Sequence, residues 1–250
     1  MITRSLDYVE YCRETAKHAR DPHDLALRGR DKKELTRQVH QEIADAVELG
    51  SGDELVDIGC GDGTMLRIAE RLGARSAIGL LATDEEVAVL RRSGLNAQQG
   101  LSDQLPLADA SASVVVCNNV LLIVPREKIP ASLREICRVA KHDARILLGE
   151  IPGAEQRDPT PQFTTRRELL SHLYRKHGFR TWFGMLRRMA YRQLTGKPPL
   201  INSGTSISFW ATPEDFIAMA QTAGLEPVRH WQCWHYPTRS SYLFRKSSCD

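Results

Sequence analysis

Long apolar runs are missing from this chain. No stretch of about eighteen residues is apolar enough to span a membrane. The N-terminal MITRSLDYVEYCRETAKHAR is charged throughout, which predicts no signal peptide and a cytoplasmic chain. The six cysteines make no CxxC pair and no Cys/His cluster with zinc spacing, so a metal centre is not expected. Cys60, Cys117 and Cys137 lie in apolar or helical surroundings and read as buried thiols. Charge of one sign is also scarce. A net charge of +3 is too small to argue for nucleic acid from the whole-chain balance.

With 250 residues, 42% of them hydrophobic and 26% charged, the chain suits one α/β domain carrying an insertion. Helical periodicity covers 5–20 and 31–49, where Leu35, Val39, Ile43 and Val47 recur among charged residues. Gly50 and Gly52 then stop the helix. An alternation follows: strand 54–58, helix 64–72, strand 76–81, helix 84–92, a short strand near 95–99, strand 113–118, helix 126–139 and strand 144–151. Strands separated by helices of this length predict βαβ units and a doubly wound, mostly parallel sheet in three layers.

After IPGAEQRDPTPQF the rhythm breaks, and residues 164–193 read as basic helices. Between Arg166 and Lys197 nine Lys or Arg face one acid, Glu168. Helix 213–223 and strands near 225–232 and 240–245 complete the pattern. The expected organisation is N-terminal helices over 1–50, a sheet domain over 51–151 and 206–250, and a basic helical insertion over 152–205.

LVDIGCGDGT places Gly59, Gly61 and Gly63 between a strand and a helix, where glycine permits a tight turn and close approach of a ligand. Thr64 stands where the third glycine of a dinucleotide fingerprint would be. Asp57 and Asp62 flank the turn and would repel a pyrophosphate. They suit a cofactor with a cationic amino-acid end and no phosphate.

ELVDIGCGDGTML resembles the first motif of the class I (Rossmann-like) S-adenosylmethionine-dependent methyltransferases. SDQLPLADASASVVVCNNVLLIV, ASLREICRVAKHDARILLGEI and TPEDFIAMAQTAGLEPVRHWQ resemble that family's fourth-strand, fifth-strand and C-terminal segments. The likeness covers about residues 30–151 and 206–246. It implies a seven-stranded sheet in the order 3-2-1-4-5-7-6 with the seventh strand antiparallel. It also implies S-adenosylmethionine as cofactor and S-adenosylhomocysteine as product.

The resemblance assigns roles residue by residue. Asp57 and the backbone at Gly59, Cys60 and Gly61 would hold the methionine end, although Asp57 could instead cap amides of the turn. Asp62 suits either the cofactor or the helix start. Leu81 occupies the place of the family's ribose-binding acid, and Leu101 that of an acid near adenine. Thr83 reads as a helix cap, unless a longer loop brings Thr83 or Asp84 back to the sugar. Ser102, or Asp103, could serve there instead, and backbone at Leu101 and Ser102 can still pair with the ring.

Asn118 and Asn119 would lie at the mouth of the site, Asn118 toward the cofactor and Asn119 toward the substrate, or simply form a turn. Tyr8 and Tyr11, with Arg30 reaching the cofactor carboxylate, would form a lid; the alternative is an amphipathic helix on the sheet edge. His230, His235 and Tyr236 either line the substrate side or serve as core and surface residues. Where family members often carry a histidine after the fourth strand, this chain has Leu122 and Ile123, so no catalytic base is identified for a hydroxyl acceptor.

The expected partner is a small, acidic metabolite bound under the basic insertion. That insertion could instead contact an anionic membrane surface or a second copy of the chain, or be purely structural. Nucleic acid is disfavoured, because there is no base-gripping loop and no appended RNA-binding module. The other reading is a catalytically silent or altered-cofactor relative that acts as a binding or regulatory partner, motivated by Leu81 and Leu101.

Overall fold

Alternation of side chains along the strands determines the layering. Val56, Ile58, Val115, Cys117, Ile146 and Leu148 feed one apolar cluster, and Leu55, Val114, Val116 and Leu147 feed another. Strands buried on both faces in this way need helices on both sides. The computed structural model describes residues 8–17, 19, 21–25, 33–154 and 208–247, with eight scattered helical positions between Ser171 and Leu194.

The sheet has seven strands: β1 (Glu54–Ile58), β2 (Ser76–Leu81), β3 (Ala97–Gln99), β4 (Ala112–Asn118), β5 (Ala140–Pro152), β6 (Leu225–Cys233) and β7 (Tyr236–Lys246). Their order is β3-β2-β1-β4-β5-β7-β6. Pairing is parallel from β3 through β5, and β7 runs antiparallel to both β5 and β6.

Helix α5 (Ile129–Val139) and helix α6 (Pro213–Thr222) cover the first face through Leu133, Ile136, Phe216 and Ala220. Helices α2 (Lys33–Ala46), α3 (Thr64–Arg71) and α4 (Asp84–Arg92) cover the second through Val39, Ile43, Met65, Leu66, Val87 and Leu90. Helix α1 (Tyr8–Lys17) lies against α4, where Arg13 pairs with Glu85 at 3.3 Å.

Three boundaries differ from the sequence expectation. Helix α5 begins at Ile129, after a 3-10 turn at Arg126–Lys128, with Pro130 in the first turn, where its missing amide costs nothing. Strand β5 starts at Ala140, because β4 keeps Ala112 paired with it before the register shifts. Strand β7 starts at Tyr236, four residues early, since β6 and β7 form a hairpin across Trp234 and His235. Cys60 and Cys117 are buried as expected, whereas Cys137 is only half-buried against Gly224. The basic insertion lies almost wholly outside the described residues. Among those described, no helix is long and apolar enough to cross a membrane.

Candidate functional site

Parallel strands open a crevice at their carboxyl ends where the chain order reverses, here between β1 and β4. The glycine turn sits at that point. Gly59, Gly61 and Gly63 all have positive φ, at 72°, 53° and 75°. Their reasons differ. A Cβ on Gly59 would strike Val120 Cγ2, and one on Gly63 would strike Leu95, so both serve internal packing. A Cβ on Gly61 would meet nothing within 4 Å among the described residues, which leaves the turn open to a ligand there.

The amides are divided in the same way. Gly59 N and Cys60 N both donate to Leu80 O, at 2.8 and 3.2 Å, and Gly63 N donates to Cys60 O. Cys60 turns its thiol against Gly79 and is buried. Burial, with Asp57 nearby, pushes that thiol well above its usual range. Gly61 N and Asp62 N donate to no acceptor among the described residues.

Asp57, at the end of β1, is buried, and its Oδ2 has no hydrogen-bond partner among the described residues. Burial first, and then the neighbouring Asp62, push its carboxyl up to about 7. Asp62 is engaged already. Its Oδ1 accepts from Thr64 N at 3.0 Å and Thr64 Oγ1 at 2.6 Å, and its Oδ2 lies 3.3 Å from His23 Nδ1. His23 belongs to a 3-10 turn at Pro22–Leu25, so the N-terminal segment reaches the glycine turn. The side chains of Tyr8 and Tyr11, and all of Arg30, lie outside the described residues.

At the end of β2, Leu81 is buried in the second apolar cluster and presents no polar group. Thr83 caps α4 in a reciprocal box: Glu86 N donates to Thr83 Oγ1 at 3.3 Å, and Thr83 N donates to Glu86 Oε2 at 3.2 Å. The cap reading therefore stands for Thr83, and Asp84 is exposed in the helix's first turn. Glu86 is buried, and that burial raises its carboxyl despite the Thr83 bonds.

Leu101, after β3, keeps an exposed side chain, while Ser102 turns inward to bond Ser132 Oγ at 2.9 Å. A side-chain role for Ser102 at a ring is thus taken up by α5, leaving its backbone.

Beyond Asn118 the structure assembles residues that sequence reasoning left apart. Asn118 Nδ2 donates to Glu150 Oε1 at 3.4 Å, and a Cβ on Gly149 would collide with Asn118 Oδ1. Asn119, with φ 59°, accepts at Oδ1 from Arg239 Nη1 at 3.1 Å. Glu150 has φ 58° at a bulge in the β5–β7 pairing, which aims its carboxylate inward. It pairs with Arg239 Nη1 at 2.7 Å and His235 Nε2 at 3.3 Å. Glu150 and Arg239 were missed, although a lone acid in the apolar run ILLGEIP is a usable signal. His230 is exposed and stacks on Tyr242, away from this group.

Comparison with known proteins agrees with the crevice. Residues 56–148 match the family model of a methyltransferase domain. Over 85 residues the chain is 39% identical to the ribosomal protein L11 methyltransferase of Actinobacillus succinogenes, covering 31% of this chain and 28% of that protein. Over 118 residues it is 29% identical to the malonyl-[acyl-carrier protein] O-methyltransferase of Serratia marcescens, covering 47% and 46%. The chain thus spans less than half the length of these curated relatives.

Magnesium protoporphyrin IX methyltransferase from Synechocystis PCC 6803, solved with bound SAH, shares the fold with a TM-score of 0.54 and 15% identity, over 85% of this chain and 84% of that one. Sheet order, glycine turn and the domain match over residues 56–148 together give the chain the fold of the class I (Rossmann-like) S-adenosylmethionine-dependent methyltransferases.

Proposed function

We propose that this chain transfers a methyl group from S-adenosylmethionine to a small-molecule acceptor. One observation carries the reading: the buried Asp57 Oδ2 has no partner among the described residues and lies at the glycine turn whose open face is Gly61. An ammonium beside Asp57 would satisfy the orphaned oxygen and favour its charged form. The unspent amides of Gly61 and Asp62 suit the adjoining carboxylate. Leu101 supplies exposed apolar surface for an adenosine, with Leu81 packed in the core beneath the end of β2, and backbone at Leu101 and Ser102 offers polar edges. Asn118 would face the cofactor and Asn119 the acceptor.

When bound, the cofactor supplies an already electrophilic methyl group. The protein's task is then chiefly to align the acceptor and exclude water. The nine Lys or Arg between Arg166 and Lys197 favour an acidic metabolite.

The second reading is a catalytically silent or altered-cofactor relative. It is favoured by the apolar end of β2 and by the commitment of Thr83 to its cap. Calorimetric titration with S-adenosylmethionine and S-adenosylhomocysteine separates the two. Micromolar binding that disappears in Asp57→Ala supports the methyltransferase. Absence of heat at millimolar ligand overturns it.

A further inference from the structure

We propose that His235, Glu150 and Arg239 form a hydroxyl-accepting site, with His235 as general base, Arg239 as donor to the acceptor oxygen and Glu150 as positioning residue. The proposal rests on the methyl-transfer reading and specifies its acceptor as a hydroxyl.

The three residues come together at the edge of the sheet where the parallel strands end. Strand β7 runs antiparallel, so its first residues meet the last residues of β5. Glu150 is fully buried, and the side chains of His235 and Arg239 are 6% and 12% exposed. The guanidinium of Arg239 lies 4.5 Å over the Tyr236 ring, which is 5.1 Å from the His235 ring. The stretch 118–120 links this group to the glycine turn. Val120 packs against Gly59, while Asn118 and Asn119 bond Glu150 and Arg239.

Two polar atoms of the group have no partner among the described residues: His235 Nδ1 and Arg239 Nε. A carboxylate only accepts, so the ring nitrogen facing Glu150, Nε2, carries the hydrogen in the neutral imidazole. Nδ1 then presents a lone pair that lacks a donor, whereas Arg239 Nε–H lacks an acceptor. A hydroxyl supplies both, donating to Nδ1 and accepting from Nε–H. An ether cannot donate, a carboxylate would face its charge to a lone pair, and an ammonium cannot accept.

The charges suit proton transfer as well. Glu150 and Arg239 offset each other, so the site with neutral His235 carries no net charge. A proton arriving on Nδ1 makes an imidazolium that Glu150 stabilises through Nε2. In the step served, the acceptor O–H bond breaks and its proton passes to Nδ1, while an oxygen lone pair forms the new O–CH3 bond. The S–CH3 bond breaks with its electron pair retained on sulfur, leaving a neutral thioether.

Nitrogen NMR of the full chain labelled with 15N-histidine tests the assignment without turnover. The His235 signals are assigned by their loss in His235→Gln, or by contacts to the Tyr236 ring if that variant does not fold. At pH 8 the expected state is a protonated Nε2 and a bare Nδ1. Glu150→Gln should mix the two tautomers, and millimolar phenol should shift Nδ1 where anisole does not.

A reversed tautomer, a ring doubly protonated at pH 8, or an Nδ1 signal blind to phenol or equally sensitive to anisole overturns the proposal. Titration with S-adenosylhomocysteine in parallel reports on the cofactor site alone. Cofactor binding with a reversed tautomer rejects only this site, and loss of cofactor binding with the expected tautomer rejects only the methyl-transfer reading.

Discussion

Glu150 Oε2 accepts from Arg239 Nη1 at 2.7 Å, the carboxylate fully buried and the guanidinium nearly so, with β5 and β7 each contributing one charge. Taking two charges out of water costs several kcal/mol each, and only their mutual contact and further hydrogen bonds offset it.

Removing one partner should therefore harm the fold more than removing both. Glu150→Gln leaves Arg239 buried opposite a neutral amide and should destabilise the protein by about 3 kcal/mol. The double variant Glu150→Gln with Arg239→Met should recover part of that loss. Urea unfolding of the two variants side by side checks the order.

Asp57 should make stability fall as pH rises. Its folded carboxyl titrates at about 7 against an ordinary 3.8. The unfolded chain releases this proton near pH 4, and the folded chain holds it to about pH 7. The contribution is fully present below pH 4 and is lost by about pH 7, on the order of 4 kcal/mol. Asp57→Asn should flatten that slope, gaining stability over the parent at pH 8 and little at pH 4. Denaturant midpoints at the two pH values measure it.

The same group should couple proton and cofactor binding. An ammonium beside Asp57 requires its ionised form, so below pH 7 binding must displace a proton. Affinity for S-adenosylhomocysteine should weaken by about fivefold between pH 7 and pH 6, and more steeply than in Asp57→Asn. Calorimetry in buffers of different ionisation enthalpy would show the released proton directly.

Two glycines of one turn should fail in different ways. In Gly59→Ala the new methyl meets Val120, so unfolding should come early and Val120→Ala should partly restore it. Gly61→Ala adds a methyl into open space at φ 53° and should cost only about 1–2 kcal/mol of stability. Its affinity for S-adenosylhomocysteine should nonetheless drop by at least about tenfold, because the methyl stands where the ligand approaches. Thermal melts with and without ligand distinguish the pair.

Thr83 should behave as structure rather than as a sugar contact. Thr83→Ala removes the cap and leaves the buried Glu86 with fewer partners, costing about 1–2 kcal/mol. Thr83→Ser should retain most of the stability. Equal cofactor affinity in parent and Thr83→Ser, measured by calorimetry, goes with this role.

By itself the sequence was sufficient for the sheet. Strand and helix periods alternate cleanly from Glu54 to Ile151, and both strand faces are apolar, which leaves few ways to bury them. It was also sufficient for the glycine turn and Asp57, which are local in the chain, and for the absence of an acid at Leu81. What each glycine does was not legible, because Val120 and Leu95 are distant in sequence and only packing brings them to Gly59 and Gly63.

The His235–Glu150–Arg239 group was decided by tertiary structure alone. Glu150 and Arg239 are 89 residues apart, and their meeting depends on the β5 bulge and on where the β6–β7 hairpin turns. A one-residue shift of that register would send Arg239 to the other face, since side chains alternate along a strand. No local pattern specifies that register, so the site becomes visible only once the strands are paired.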